Sequence, residues 1–432
     1  MNPTKMIAVR KWGGWGAMLL MLGGRFTAEG AGADIWPEFR GPTRQGLSSA
    51  TNLPVNWSTT SNVVWQVAVP GNGWSSPVVG QGVVYLTAAV PDASGDGISL
   101  RVYFLDAGTG KVLLDKEVIR PEPGPAGVRH QKNSQCSATP ILDGGRLYVH
   151  FGHLGTAALD LSGKVLWRQT TLNYPPIHGN GGSPALVGDN LIFSCDGAKD
   201  PFVVALDART GEIRWRVARN TSAKSKFSFC TPLAIDVGGA RQVILPGSGF
   251  VAAYDPADGR EFWKVRYGEG YSVVPRPVYA HGLLYIATGF DRAYLLAIDP
   301  EGARGDVTDS KVKWKVGKGV PMTPSLLAVD QELYFVSDGG IATCLDAVSG
   351  EVIWSERLGG DFSASPFYAE GRIYFLSETG VGYVVRAGRK FELLAKNELG
   401  ERTLASCAVV DNAILMRSEG HLWRLGSGTK AP

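Results

Sequence analysis

A chain of 432 residues with 56 Gly, 25 Pro and 44% hydrophobic residues suits many short strands joined by tight turns and leaves little room for long helices. Its 43 Lys and Arg against 40 Asp and Glu leave a net charge of +3, too small a surplus to argue for a nucleic-acid surface. Cys136, Cys195, Cys230, Cys344 and Cys407 are odd in number and never at C-x-x-C spacing, so at least one thiol lacks an intramolecular partner. All five read as small buried hydrophobes in or beside strands rather than as ligands.

Residues 1–33 read as a secretory signal. Lys5, Arg10 and Lys11 form a basic start, Trp12–Gly24 is an apolar stretch too short to span as a stable helix, and Ala31-Gly-Ala33 fits a signal-peptidase site. With no Cys there for a lipid, the expectation is a periplasmic or secreted protein without a stable membrane anchor after cleavage. Residues 34–61 follow as a Pro-, Ser- and Thr-rich arm lying on the folded domain. Residues 62–69, with Trp65, look like an outer strand without a sheet of its own.

From Ser76 onward the chain repeats. The clearest unit, Ser183–Trp215, reads as four strands, Pro184–Val187, Leu191–Cys195, Phe202–Leu206 and Glu212–Val217, separated by Gly, Asp and Asn turns. In its last turn Asp207 can form an Asx-turn, Gly211 can supply a positive φ, and Trp215 then points toward a neighbouring unit. The phrase recurs as Asp160, Gly163 and Trp167, as Asp255, Gly259 and Trp263, and as Asp346, Gly350 and Trp354. It weakens to Leu114 after Asp106–Gly110, and Trp314 follows its turn only after an insertion. Unit starts are marked by Ser76-Pro77, Thr139-Pro140, Ser183-Pro184, Thr231-Pro232, Arg276-Pro277, Thr323-Pro324, Ser365-Pro366 and Ser406-Cys407. After a longer first gap they lie about 41 to 48 residues apart, the period of a four-stranded blade.

The last unit has only three strands, over 404–425, before the chain runs out. Residues 62–69 supply the fourth. The expected fold is therefore all-β: an eight-bladed β-propeller over 62–432, closed by an N-terminal strand that completes the last blade and leaves no open seam.

The phrase A-x-D-x-x-T-G-x-x-x-W, as in Ala205–Trp215, is similar to the tryptophan-docking repeat of the pyrroloquinoline-quinone (PQQ) type propellers. That superfamily includes quinoprotein alcohol dehydrogenases and the propeller lipoprotein of the outer-membrane β-barrel assembly machinery. Trp36–Pro42, Asn133-Ser134, Gly305–Thr308 and Ser363–Pro366 also resemble a bacterial family of exported PQQ-like repeat proteins. The resemblance implies the fold closely and the function loosely, because sites are grafted onto propellers. For an oxidoreductase it implies PQQ with calcium, an adjacent Cys-Cys pair, an acid–amide metal set and an aspartate base. No adjacent cysteines and no C-x-x-C-H haem site occur here, and Asp196 with Asn180 would supply only part of the metal set.

Blade topology places the Asp-x-x-Thr-Gly turns on one face and the connections between blades on the other, where loops depart from the repeat. On that second face Arg129, His130, Lys132, Asn133, His178, Asn180, Asp196, Lys226 and Arg276 read as a basic, amide-bearing funnel over blades two to five, suited to a protein partner with an acidic segment or to an anionic small ligand. His130, His153 and His178 form an irregularly spaced metal possibility. Trp74, Phe227, Tyr271 and Phe362 suit either carbohydrate binding or packing between blades. The leading expectation is a non-catalytic binding or assembly scaffold, with a divergent PQQ oxidoreductase and a carbohydrate-binding accessory propeller as alternatives.

Overall fold

The computed structural model describes Met1 and residues 35–92, 97–122, 130–174 and 176–426. It separates into Met1–Ala31 and Gly32–Pro432. Apart from Met1, every described residue lies in the second unit, so the signal reading falls outside the described residues. Among those residues no helix is long and apolar enough to cross a membrane.

Among the described residues eight sheets follow one another, seven of four antiparallel strands and one of five, whose fifth strand is parallel to its neighbour. The central unit sets the pattern. Ala185–Val187, Asn190–Cys195, Phe202–Asp207 and Ile213–Ala218 pair in order as blade three, within a residue or two of the boundaries the sequence predicts. The middle strands are almost wholly buried because both of their faces pack on neighbouring blades, which is why they read as unbroken apolar runs such as Leu191–Phe193. The ring closes as expected. Val63–Ala68 pairs antiparallel with His421–Gly426 and completes blade eight, and the first strands of blades one and eight pack together.

The repeated turns bolt each blade to the next. Asp207 accepts the backbone N–H groups of Arg209 and Thr210 at 2.7 and 3.1 Å, forming the Asx-turn. Gly211 sits at φ 78°, and a Cβ there would come within 2.5 Å of the Trp167 ring of blade two, so glycine is required both for the turn and for the close approach. Trp167 Nε1 then donates to Ala208 O at 3.1 Å. The same bond joins Trp65 to Ala107 O, Trp215 to Pro256 O, Trp314 to Ala347 O and Trp354 to Gly388 O, at 3.0 to 3.2 Å. In blade one Leu114 takes the place of tryptophan against Gly163.

Trp263 departs from its motif. Its ring shares a buried cluster with Leu284, Leu296 and Ala303 of blade five, but its Nε1 donates to Gln242 of its own blade at 2.8 Å. The cause is the insertion after Asp299: Gly305–Asp306 pairs in parallel with Trp263 and Lys264 as a fifth strand, which buries the ring completely and replaces the usual dock. A second departure concerns blade six, whose first strand begins at Leu327. The position equivalent to the other Ser-Pro markers is therefore Ser325-Leu326. Thr323 instead binds Asp338 through its N–H and its hydroxyl.

Candidate functional site

The arm does more than lie on the propeller: it runs through its centre. Trp36 exchanges both backbone hydrogen bonds with Val79 of blade one, and Pro37 O accepts from Leu142 N of blade two. Gly46 O accepts from Tyr368 N of blade seven, and Arg40 Nη2 donates to Leu326 O of blade six at 2.6 Å. Contacts to the innermost strands of so many blades put residues 36–48 in the central channel as a plug. Blade five holds the plug with Arg276, whose guanidinium donates to Phe39 O at 2.7 Å, Pro232 O at 3.0 Å and Glu38 Oε2 at 3.2 Å. Arg44 takes the other Glu38 oxygen at 2.7 Å.

Arg276 is therefore not part of a free cationic surface, and the sequence reading is corrected there. Its side chain is wholly buried because a guanidinium is needed to satisfy the plug's carboxylate and carbonyl in the channel. Arg40 shares this environment. Burial, with Arg276 nearby, lowers its pKa to about 9.

Above the plug lies a cavity of about 270 Å³. Phe39 lines it from the plug, and every blade contributes at least one side chain from the approach to its first strand. At its base the Ser and Thr markers link the blades. The Ser76, Thr139 and Ser183 N–H groups donate to the hydroxyls of Thr139, Ser183 and Thr231 at 2.8 to 3.1 Å. The Arg276, Ser325 and Ser365 N–H groups donate to Ser325, Ser365 and Ser406 at 2.8 to 3.0 Å. Arg276 has no hydroxyl, so the belt is interrupted at blade five. The walls are unequal. Blades one to five present Trp74, His130, His178, Phe227, Phe229, Tyr271 and Phe290, whereas blades six to eight present Thr323, Ser363, Leu404 and the belt serines.

Several sequence-selected residues meet here. His178, in a left-handed conformation at φ 65°, turns its carbonyl to accept from His130 N at 3.2 Å and Asn133 Nδ2 at 2.9 Å. Its ring packs edge-on against His130 and Phe227, and burial lowers its pKa, helped by His130. Lys132 reaches across the funnel to Glu378 of blade seven at 2.6 Å, and Ser363 donates to the same carboxylate oxygen. Arg402 of the blade-eight approach holds Gln131 O at 3.1 Å. The loop is thus tied to three blades, and its cation is neutralised. Arg129 lies outside the described residues. Lys226 is half-buried and does not line the cavity.

Asn180 and Asp196 line a side chamber of about 20 Å³, room for one water. Asn180 Nδ2 lies 3.2 Å from Phe151 O and 3.0 Å from His153 Nδ1, so His153 pairs with Asn180 while His130 and His178 pair with each other. Asp196 is buried against Arg219 of the same blade. Burial raises its carboxyl to about 6 while the guanidinium pulls the other way. Its Oδ1 has no hydrogen-bond partner among the described residues. Among the described residues no three His, Cys, Asp or Glu side chains are arranged to hold a metal ion. The five cysteines are buried and unpaired. Phe362 is fully buried between blades, whereas Trp74, Phe227 and Tyr271 do reach the funnel. The sequence reading missed the hydroxyl belt as a functional feature and Phe39 entirely, although the Ser-Pro markers were the visible trace of the belt.

The model of the family described as outer membrane protein assembly factor BamB matches residues 47–176, 118–233 and 297–422. The chain belongs to that family. BamB from Moraxella catarrhalis superposes with a TM-score of 0.62 at 15% identity, over 86% of this chain and 98% of that one. A europium-containing methanol dehydrogenase gives 0.65 at 12% identity, over 90% and 91%. The computationally designed Ika8 protein gives 0.57 at 12%, over 83% and 98%. A designed ring and a dehydrogenase superposing about as well as BamB makes the BamB likeness one of fold alone. In sequence, the chain is 25% identical over 253 residues to methanol dehydrogenase subunit 1 of Paracoccus denitrificans, covering 51% of this chain and 36% of the relative. It is 28% identical over 155 residues to the lanthanide-dependent methanol dehydrogenase of Methylorubrum extorquens, covering 32% and 24%. The chain thus matches well under half the length of these two relatives.

Proposed function

We propose that this BamB-family chain is an exported, non-catalytic propeller that works as a binding or assembly scaffold in the periplasm or outside the cell. It meets its partners with the loop face around the funnel. The observation that carries the reading is the donor set. PQQ has three carboxylates and, for catalysis, needs a metal beside its quinone. Here Lys132 is committed to Glu378, Arg276 to the plug and Arg219 to Asp196. Asn180 and Asp196 are turned into a chamber with room for a water only. These residues do not fit PQQ with calcium, and no oxidation step is derived through it.

A protein partner is the reading that accords with the family's description as an assembly factor. Half-buried Lys226 and exposed Lys224 remain on the rim to favour an acidic segment of such a partner. The test is turnover. Purified mature protein with excess PQQ and calcium should reduce no dye in the presence of methanol. Turnover that disappears in a folded Asp196→Asn variant would make the funnel an active site and end the scaffold reading.

A further inference from the structure

The belt has chemistry left over. A serine or threonine hydroxyl has one proton to donate as well as lone pairs to accept. The hydroxyls of Thr139, Ser183, Thr231, Ser325, Ser365 and Ser406 each accept a backbone N–H from the preceding blade. Among the described residues none of the six donates to another protein group. All six are more than nine-tenths buried, and all line the funnel. Buried donors are normally satisfied, so the base of the funnel presents up to six O–H groups to whatever fills it. Opposite stands an aromatic wall, with Trp74 and Tyr271 half-buried and open to the cavity.

Resting on the binding reading above, we propose that the funnel is a saccharide site, taking one or two residues of a neutral glycan. A pyranose has a flat C–H face for an aromatic ring and carries ring and hydroxyl oxygens that accept hydrogen bonds from the belt. An ionic ligand is disfavoured: the Lys132–Glu378 pair is internally neutral, and Arg40 of the plug and Arg276 of blade five are buried and do not line the cavity. A volume of about 270 Å³ sets the size at one to two sugar rings, below the usual range for larger cofactors. A peptide end is the competing occupant. Its backbone N–H donors would have only the lone pairs left on hydroxyls that each already accept one N–H, and among the described residues that line the cavity its terminal carboxylate would meet a lysine, Lys132, already paired with Glu378.

The test uses full-length mature protein titrated with maltose, cellobiose and chitobiose, followed by tryptophan fluorescence and by ligand-observed NMR. At least one disaccharide should bind saturably. Trp74→Ala and Tyr271→Ala should each weaken it at least tenfold with the melting temperature unchanged, and Ser365→Ala should weaken it where Ser365→Thr does not. If none of the three sugars binds, the inference fails, and the binding-scaffold reading survives provided that PQQ turnover is also absent. Sugar binding that both aromatic variants leave intact overturns it equally, because the site is then elsewhere. Displacement of bound sugar by an acidic peptide, without sugar-dependent loss in the variants, would assign the funnel to the peptide.

Discussion

The two faces of this propeller are built by opposite means. On the turn face one contact is repeated: a glycine at positive φ receives the tryptophan of the preceding blade, and the indole N–H closes on a turn carbonyl. On the funnel face every blade but the fifth, which has Arg276, shares a Ser or Thr at the base, and everything above it differs from blade to blade. The turn face holds the ring together, and the funnel face is free to become a site. The plug joins the two roles, because the arm that supplies the closing strand also floors the funnel.

The sharpest way to break this division is to remove the arm. Deleting residues 34–69 takes away both the fourth strand of blade eight and the plug, exposing an edge and an emptied channel. Aggregation on size exclusion or loss of cooperative melting is expected, and unchanged melting would refute the closure. Next in size, Trp215→Ala should cost about 3–5 kcal/mol in denaturant melts through the cavity it leaves, whereas Trp74→Ala, half-buried in the funnel, should cost under about 1 kcal/mol. Equal costs would erase the distinction between the faces. Arg276→Leu leaves Phe39 O without its partner and Glu38 with Arg44 alone. The expected loss is about 3 kcal/mol, with faster proteolysis of the arm.

A further effect is one of pH. His150, buried beside Phe193 and hydrogen-bonded to Thr156 at 2.8 Å, has its pKa lowered to about 3 by burial, with His153 adding to it. Its unfolded form takes up a proton below about 6.5, so its contribution to stability is present at neutral pH and is lost as pH falls from there toward 3, by about 2 kcal/mol at pH 5. Asp196 acts in the opposite sense: its carboxyl is raised to about 6 by burial, so the folded state takes up its proton first and this group favours folding as pH falls. The informative quantity is the difference between wild type and His150→Phe, which should flatten the loss. Equal slopes would place His150 in contact with water.

The asymmetry also decides what could be read from sequence. Blade count, closure by Val63–Ala68 and the Asp-Gly-Trp turns were legible because each rests on local chemistry repeated at a fixed period. Trp263 misled because its partner, the Gly305–Asp306 strand, arises from an insertion some 40 residues away. Arg276 looked like a loop cation, since nothing in its neighbourhood announces Glu38, 238 positions earlier. The funnel's character was hidden for the same reason: it is made by side chains from every blade together with one from the plug, and Lys132 and Glu378, 246 positions apart, cancel each other only in three dimensions.

The central claim is that the plug and the paired charges have made the funnel of a PQQ-like ring into a neutral binding pocket. Calorimetric titration of the mature protein with PQQ in the presence of calcium tests it most directly. No saturable heat is predicted. Stoichiometric binding of PQQ, abolished by substitution of Trp74 and Asn133, would contradict it.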